Sequence, residues 1–266
     1  MKNNIQYITV LALTLVLEMN FGKAMAQAPT YQFASPVKFV PPPPPPDRGA
    51  AGDRGSAASR GCATNSQSLT ALVPAYEQTV NQEKRPAISV TKVWGLTTAE
   101  HSTFWFFVPH NISAIATTEF VLKDESNKPG KTIYRTLVTP PQTPGIVSIH
   151  LPSSTEPLEI GKMYHWFFKV RVKCDPQQPA QLEYVEGWVQ RVSPNPSLAE
   201  RLKQATPQQQ VGLYAENGIW YDALTTLAEL RRAKPQDATL KADWTSLLNS
   251  AGLEKLTTQP LIDCCK

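Results

Sequence analysis

Four histidines, His101, His110, His150 and His165, are the side chains of this 266-residue sequence best suited to proton transfer or metal binding. None stands at ligand spacing from another, and the four cysteines form no Cys-x-x-Cys pair. The motifs of a nucleophile elbow, a phosphate cradle, a dinucleotide site and a His-Glu-x-x-His zinc protease are absent. A Ser/His/Asp relay needs no fixed spacing, so a hydrolase stays open as a rival reading; a pocket joining His, carboxylate and hydroxyl would mark it. We assign no catalytic residue, no metal ligand and no cofactor.

Binding chemistry is better represented. In "YHWFFKVRVKC", Tyr164, Trp166, Phe168, Val170 and Val172 alternate with His165, Phe167, Lys169, Arg171 and Lys173. A strand would bury the first set and turn the second outward. With the following loop read as a hairpin, Lys173 is expected opposite Glu183, and Lys169, Arg171 and Arg191 form a basic stripe beside Phe167 and Val189. Apolar groups among charges on a wet face point to a cover, either the C-terminal helices or a partner. The partner classes that fit are an acidic envelope or secreted protein and an anionic polysaccharide. "TFWFFV" has aromatic residues on both faces, so Trp105 is either core under a second layer or an exposed platform.

These residues need a sheet to hold them. Between Leu69 and Val192, short runs rich in Val, Ile, Thr and aromatics sit between Pro, Gly and Asn clusters. They are "LTALV", "ISVTKVWGL", "TFWFFV", "TEFVLKD", "KTIYRTLV", "GIVSIHL", "MYHWFFKVRVKC" and "LEYVEGWVQRV". Their spacing predicts an antiparallel β-sandwich, and Leu158, Gly161 and Tyr164 resemble an immunoglobulin-type tyrosine corner. Ser193-Pro194-Asn195-Pro196 ends the strand pattern, since proline cannot donate to a ladder.

Beyond it the period turns helical. Ser197, Thr206 with Pro207, and Asp237 are expected caps. Leu224, Leu227, Ala228 and Arg231 share one face, as do Trp244, Leu247, Leu248 and Ala251, and Gly252 stands where a helix ends. Tyr214, Trp220, Ala223, Leu227 and Pro235 fall at tetratricopeptide spacing, but a single unit makes an appendix rather than a solenoid. The predicted fold is therefore α+β: an immunoglobulin-like antiparallel β-sandwich at 61–193 and a small tetratricopeptide-like helical segment at 194–258, with a cysteine-containing tail at 259–266.

The N-terminus reads as a signal peptide over 1–26. An apolar run from Ile5 to Leu17 is followed by Ala24-Met25-Ala26, a small-x-small cleavage site. The run is short for a bilayer span, so no transmembrane anchor is expected after cleavage. Cleavage removes two lysines and one glutamate and takes the net charge from +4 to +3, which gives no reason to expect nucleic acid. Residues 27–60 read as a linker: Pro41 to Pro46 form a stiff rod of roughly 19 Å. Arg48, Arg54 and Arg60, each followed by glycine, recur at a period no helix or strand uses. Export to the periplasm, the cell surface or beyond permits disulfides. A Cys62–Cys174 bridge would close a loop of about 110 residues and contribute about 4–5 kcal/mol in the loop-entropy account. Cys264 and Cys265 are left for pairing between chains or with Cys174.

Several segments together carry a family resemblance: "RGC" at 60–62, "LTALVP" at 69–74, "TFWFFVP" at 103–109, "EFVLKDE" at 119–125, "TPGIVSIHLP" at 143–152, "PLEIGKMYHWFF" at 157–168, "GWVQRV" at 187–192 and "WYDAL" at 220–224. The chain resembles the cyanobacterial secreted family called domain of unknown function 928. The resemblance implies export and the two-part layout and carries no activity. The expectation is thus an exported, non-catalytic binding or assembly protein of the envelope or extracellular space. An envelope-polymer hydrolase and a carbohydrate-binding module are the rivals; exposed, coplanar Trp94, Trp105 and Trp188 would mark the latter.

Overall fold

A computed structural model describes residues 36–43, 52–55, 67–80, 88–127, 129–175 and 177–263. The expected signal peptide, Arg48, Arg60, Cys62, Cys264 and Cys265 lie outside the described residues. Among the described residues, nine strands form two sheets. The smaller joins β1 (Thr70–Ala71), β4 (Thr103–Val108) and β7 (Gly145–His150) in the order β1-β4-β7. The larger contains β2 (Ala75–Val80), β3 (Ile88–Thr97), β5 (Ile115–Asp124), β6 (Lys131–Leu137), β8 (Met163–Val172) and β9 (Gln181–Arg191) in the order β2-β3-β9-β8-β5-β6. All pairings are antiparallel except β3 with β9.

Two-residue alternation decides what each strand buries. Tyr164, Trp166, Phe168, Val170 and Val172 of β8 all enter the core, as their spacing predicts. Phe106 of the small sheet stacks on Phe168 with ring centroids 4.2 Å apart, and Phe104 meets Phe120 at 4.9 Å. The other face of β4 is covered too. Trp105 Nε1 donates to Thr225 Oγ1 at 3.0 Å, and the Arg232 guanidinium lies 4.9 Å over its ring. Both come from α3 (Trp220–Ala233), so Trp105 is core under a helical layer and not a platform.

β2 was not foreseen. Ala75, Glu77 and Gln78 have poor strand propensity, and Pro74 separates them from "LTALV". Their register against β3 holds them: Tyr76 opposite Lys92, Glu77 opposite Thr91.

Four helices follow, α1 (Pro196–Gln204), α2 (Pro207–Glu216), α3 and α4 (Ala238–Ser250). Thr206 and Gln209 form a capping box at α2, and Asp237 accepts from the Thr239 and Leu240 amides at α4. At α1 the cap is Asn195, which accepts from the Leu198 amide at 2.9 Å, and not Ser197; Pro196 at the first helical position moves the start upstream. Gly252, at φ +66°, follows α4.

The helical layer is bonded into the sheets. Trp220 Nε1 donates to the Leu72 carbonyl at 2.8 Å. Tyr221 Oη accepts from Trp166 Nε1 at 2.9 Å and donates to the Trp188 carbonyl at 3.1 Å. Burial pushes this phenol far above its ordinary value. The helix sits close because β3 offers Gly95, where a Cβ would stand 3.0 Å from the Tyr221 ring. The helices thus pack on the side of β3 that carries Gly95 and Val93, away from Trp94.

Two pieces of the segment read as a linker pack on this body. The Phe39 amide donates to Ser250 Oγ at 3.1 Å, and its ring meets Trp220 edge-on at 5.0 Å. Asp53 exchanges two backbone hydrogen bonds with Glu186, and Arg54 donates to the Ala251 and Gly252 carbonyls at 2.7 and 2.9 Å. Val37 and Phe39 are the apolar residues that drive the first contact. Arg54 drives the second, with a cation placed at the carbonyl end of α4. At the other end of the chain, Ile146 and Leu261 form a parallel bridge on β7, and the Ile146 amide donates to the Pro260 carbonyl at 2.8 Å.

Candidate functional site

The open face of the large sheet gathers the residues with binding chemistry. From β8 it presents His165, Phe167, Lys169 and Arg171. Opposite them on β9 stand Trp188, Glu186, Tyr184 and Leu182, and on β5 stand Lys123, Val121, Glu119 and Thr117.

The register between β8 and β9 differs by three residues from the expected hairpin: Arg171 faces Leu182, not Val185. An odd shift turns a strand over. Glu183, Val185 and Val189 therefore point into the core, and Glu183 is 3% exposed. Its burial is matched by His110, whose Nε2 lies 2.8 Å from Glu183 Oε2. The expected Lys173–Glu183 surface pair does not form, because the connecting loop runs from 173 to 180 and lets Gln181 join the strand.

One end of the face is an aromatic row. The His165 ring lies on Trp188, with centroids 4.2 Å apart and planes 11° from parallel, and against Phe167 at 4.1 Å. His165 Nδ1 is 3.1 Å from Glu125 Oε1. Nε2 is 3.0 Å from Glu186 Oε2, out of line for a hydrogen bond. Trp94 pairs with Trp188 across β3 and β9, and Tyr76 follows at 6.0 Å. Tyr76 Oη and Trp94 Nε1 are buried without a hydrogen-bond partner among the described residues. Burial accordingly lifts the Tyr76 phenol well above its usual value.

The other end is open and basic. Leu182 is 45% and Tyr184 38% exposed. Beside them Arg171 is exposed and makes no ion pair among the described residues. Lys169 reaches Glu119 at 3.6 Å and also lies 5.6 Å over the Phe167 ring, with Lys123 over the same ring at 5.4 Å. Glu119 is shared with Arg135 at 2.6 Å, so its charge is divided between two cations. Exposed apolar side chains among incompletely neutralised cations can bind an acidic surface that also offers apolar contact.

Of the expected stripe, Lys169 and Arg171 are brought together beside Phe167, while Arg191 lies elsewhere, as does Trp105, the separate aromatic candidate. Arg191 closes the end of the sheet: it donates to the Leu158 carbonyl at 2.7 Å and the Thr98 carbonyl at 3.2 Å and pairs with Glu100 at 3.1 Å. Trp94 and Trp188 are neighbours, but both are buried, and Trp105 belongs to the other sheet. The three therefore make no exposed coplanar row. Leu182, Tyr184 and Glu186 escaped the sequence reading because the assumed register put their neighbours outward. Their alternation with Glu183 and Val185 was the available signal.

Among the described residues, no hydrogen-bonded relay of hydroxyl, histidine and carboxylate assembles at the other histidines. His150 Nδ1 meets Thr103 Oγ1 at 3.0 Å, and no hydrogen bond joins it to Ser148 or to a carboxylate among the described residues. Nor do the described residues contain three or more His, Cys, Asp or Glu side chains placed to hold a metal ion. None of their helices is long and apolar enough to cross a membrane. No free cysteine occurs among them, and Cys174 stands exposed two residues beyond the end of β8.

Fold and face together define an α+β protein of two mostly antiparallel sheets and four C-terminal helices, with one sheet face open to solvent at its basic end. The chain belongs to the family described as Domain of Unknown Function (DUF928), whose model matches residues 50–261. No curated protein and no solved structure matches it.

Proposed function

We propose that the chain is an exported, non-catalytic binding or assembly protein of the cell envelope or extracellular space. Its docking face is the basic end of the large sheet, and its partner is an acidic protein surface. One observation carries this reading: Leu182 and Tyr184 stand exposed beside Lys169 and Arg171. A strand face with no task needs no exposed leucine and tyrosine between cations, whereas interface cores are enriched in tyrosine and arginine.

Export rests on the N-terminal apolar run and its small-x-small site. The Cys62–Cys174 bridge belongs to the same reading, supported by the exposed position of Cys174 just beyond β8; peptide mapping without reductant that recovers Cys62 as a free thiol refutes it. The immunoglobulin-like character of the sheets is supported by the hydrogen bond at Tyr164, and the tetratricopeptide-like character of α2 and α3 by Tyr214, Trp220, Ala223 and Leu227.

The test is a pull-down from envelope and medium fractions with the mature protein and with a Lys169→Glu/Arg171→Glu variant. Loss of an acidic protein from the variant is expected. Retention of every partner removes the face as a dock, and selective loss of an anionic polysaccharide reassigns its ligand.

A further inference from the structure

A second site lies on the far side of the small sheet, between β4, β7 and α3. We propose that the cavity there, of about 370 Å³, binds a hexuronate, a sugar unit bearing one carboxylate. Its size is at the low end of ligand pockets, roughly 300–1,000 Å³, which suits a single sugar ring.

Arg232 is the centre of the argument. Its guanidinium lies over the Trp105 ring at 4.9 Å, which sets the plane of the fork. Nη2 donates to the Ile262 carbonyl at 3.0 Å and, at the long distance of 3.3 Å, to Ser148 Oγ. Nε is buried and has no hydrogen-bond partner among the described residues. Nε and Nη2 form one edge of the guanidinium, the edge that grips a carboxylate through two parallel hydrogen bonds. On that edge Nε makes no hydrogen bond to a described residue, and Nη2 divides its hydrogens between a carbonyl and a weakly held, displaceable hydroxyl. An unpaired buried N–H costs free energy that a bound carboxylate would recover.

Beside apolar Leu137, Val138, Ile149 and Pro152, the polar part of the lining fits hydroxyls. Thr103 Oγ1 and His150 Nδ1 bond to each other, which leaves His150 Nε2 without a partner among the described residues. Two exposed carboxylates, Glu229 and Asp263, also line the cavity. They repel a dianion such as phosphate more strongly than a monoanion, and they are good acceptors for sugar hydroxyls. A ligand with one carboxylate and several hydroxyls satisfies every polar group named. This cavity shares no residue with the docking face, so the inference does not rest on that reading.

The experiment is titration of the full-length protein, followed by protein-observed NMR, with galacturonate, glucuronate, galactose, inorganic phosphate and glycine. Saturable binding of at least one hexuronate is expected, with galactose weaker by about tenfold or more, since a charge-assisted pair is lost. Arg232→Lys keeps the charge but not the fork and is expected to lose binding by a similar factor. Should that variant not fold, Ser148→Ala combined with Thr103→Val reads the hydroxyl contacts and is expected to weaken the hexuronate severalfold. The Lys169→Glu/Arg171→Glu protein is expected to bind the sugar normally, which separates this site from the docking face. The assignment is overturned by any of four results: no hexuronate binding, equal binding of galactose, glycine or phosphate, full affinity in Arg232→Lys, or full affinity in the double hydroxyl variant where Arg232→Lys is unfolded.

Discussion

His165 lies flat on Trp188, its ring centroid 4.2 Å from the indole and 11° from parallel, with a glutamate near each ring nitrogen. The two residues sit opposite each other on β8 and β9. Cross-strand aromatic pairs contribute about 0.5–1.5 kcal/mol beyond their buried area. A double-mutant cycle with His165→Ala and Trp188→Leu, read by urea unfolding, should return a coupling of that size. A coupling of zero would mean that the stacked geometry contributes no more than two separate burials.

Tyr164 closes the turn that precedes β8. Its hydroxyl oxygen accepts from the Glu159 amide at 2.9 Å, across a loop that Gly161 turns at φ +81°. Tyr164→Phe keeps the buried ring and removes only that acceptor, so the expected loss is about 1 kcal/mol. An unchanged denaturation midpoint would show that water replaces the bond at no cost.

Much of this arrangement could be read in the sequence, and the reasons differ by residue. The inward set of β8 was legible because its period is strictly two and its members are large. The caps at Thr206 and Asp237 were legible because capping is local chemistry. β2 was not, because pairing with β3 overrides its poor propensities. The register of β9 was not, because either alternation turns one glutamate inward, Glu186 in the expected register and Glu183 in the observed one. The observed one pairs Glu183, among the described residues, with His110, 73 positions away. Contact over such a separation leaves no local signature. The packing of Phe39 and Arg54 was hidden for a related reason: their partners, Ser250 and Ala251, lie at the far end of the chain.

The His110–Glu183 pair makes a prediction of its own. Both side chains are more than nine-tenths buried and 2.8 Å apart. Removing one partner strands the other, and such losses run to about 3–5 kcal/mol. His110→Ala should therefore unfold the domain at markedly lower denaturant. His110→Leu with Glu183→Met replaces the pair by apolar groups of similar bulk and should recover most of that loss. A double variant no more stable than His110→Ala would show that the pair organises its surroundings in a way apolar packing cannot.

Acid sensitivity should trace to Asp124. Burial pushes this carboxyl up, but hydrogen bonds from Lys162 and Ser126, together with the Lys162 charge, outweigh it and hold the group at about 2 against an ordinary 3.8. Lys162 remains charged throughout that range, since its bonds to Asp124 and Glu159 raise its own value. A carboxyl depressed by folding contributes in full above its unfolded value and loses that contribution as pH falls through the folded one. The stabilisation should therefore be complete above about pH 4 and be lost as the pH approaches and passes about 2. Asp124→Asn removes the linkage, so the stability gap between the two proteins should narrow as pH falls through that window. Urea unfolding at about pH 5, 3.5 and 2 measures it. A gap that stays constant across the three would place the acid sensitivity at another carboxylate.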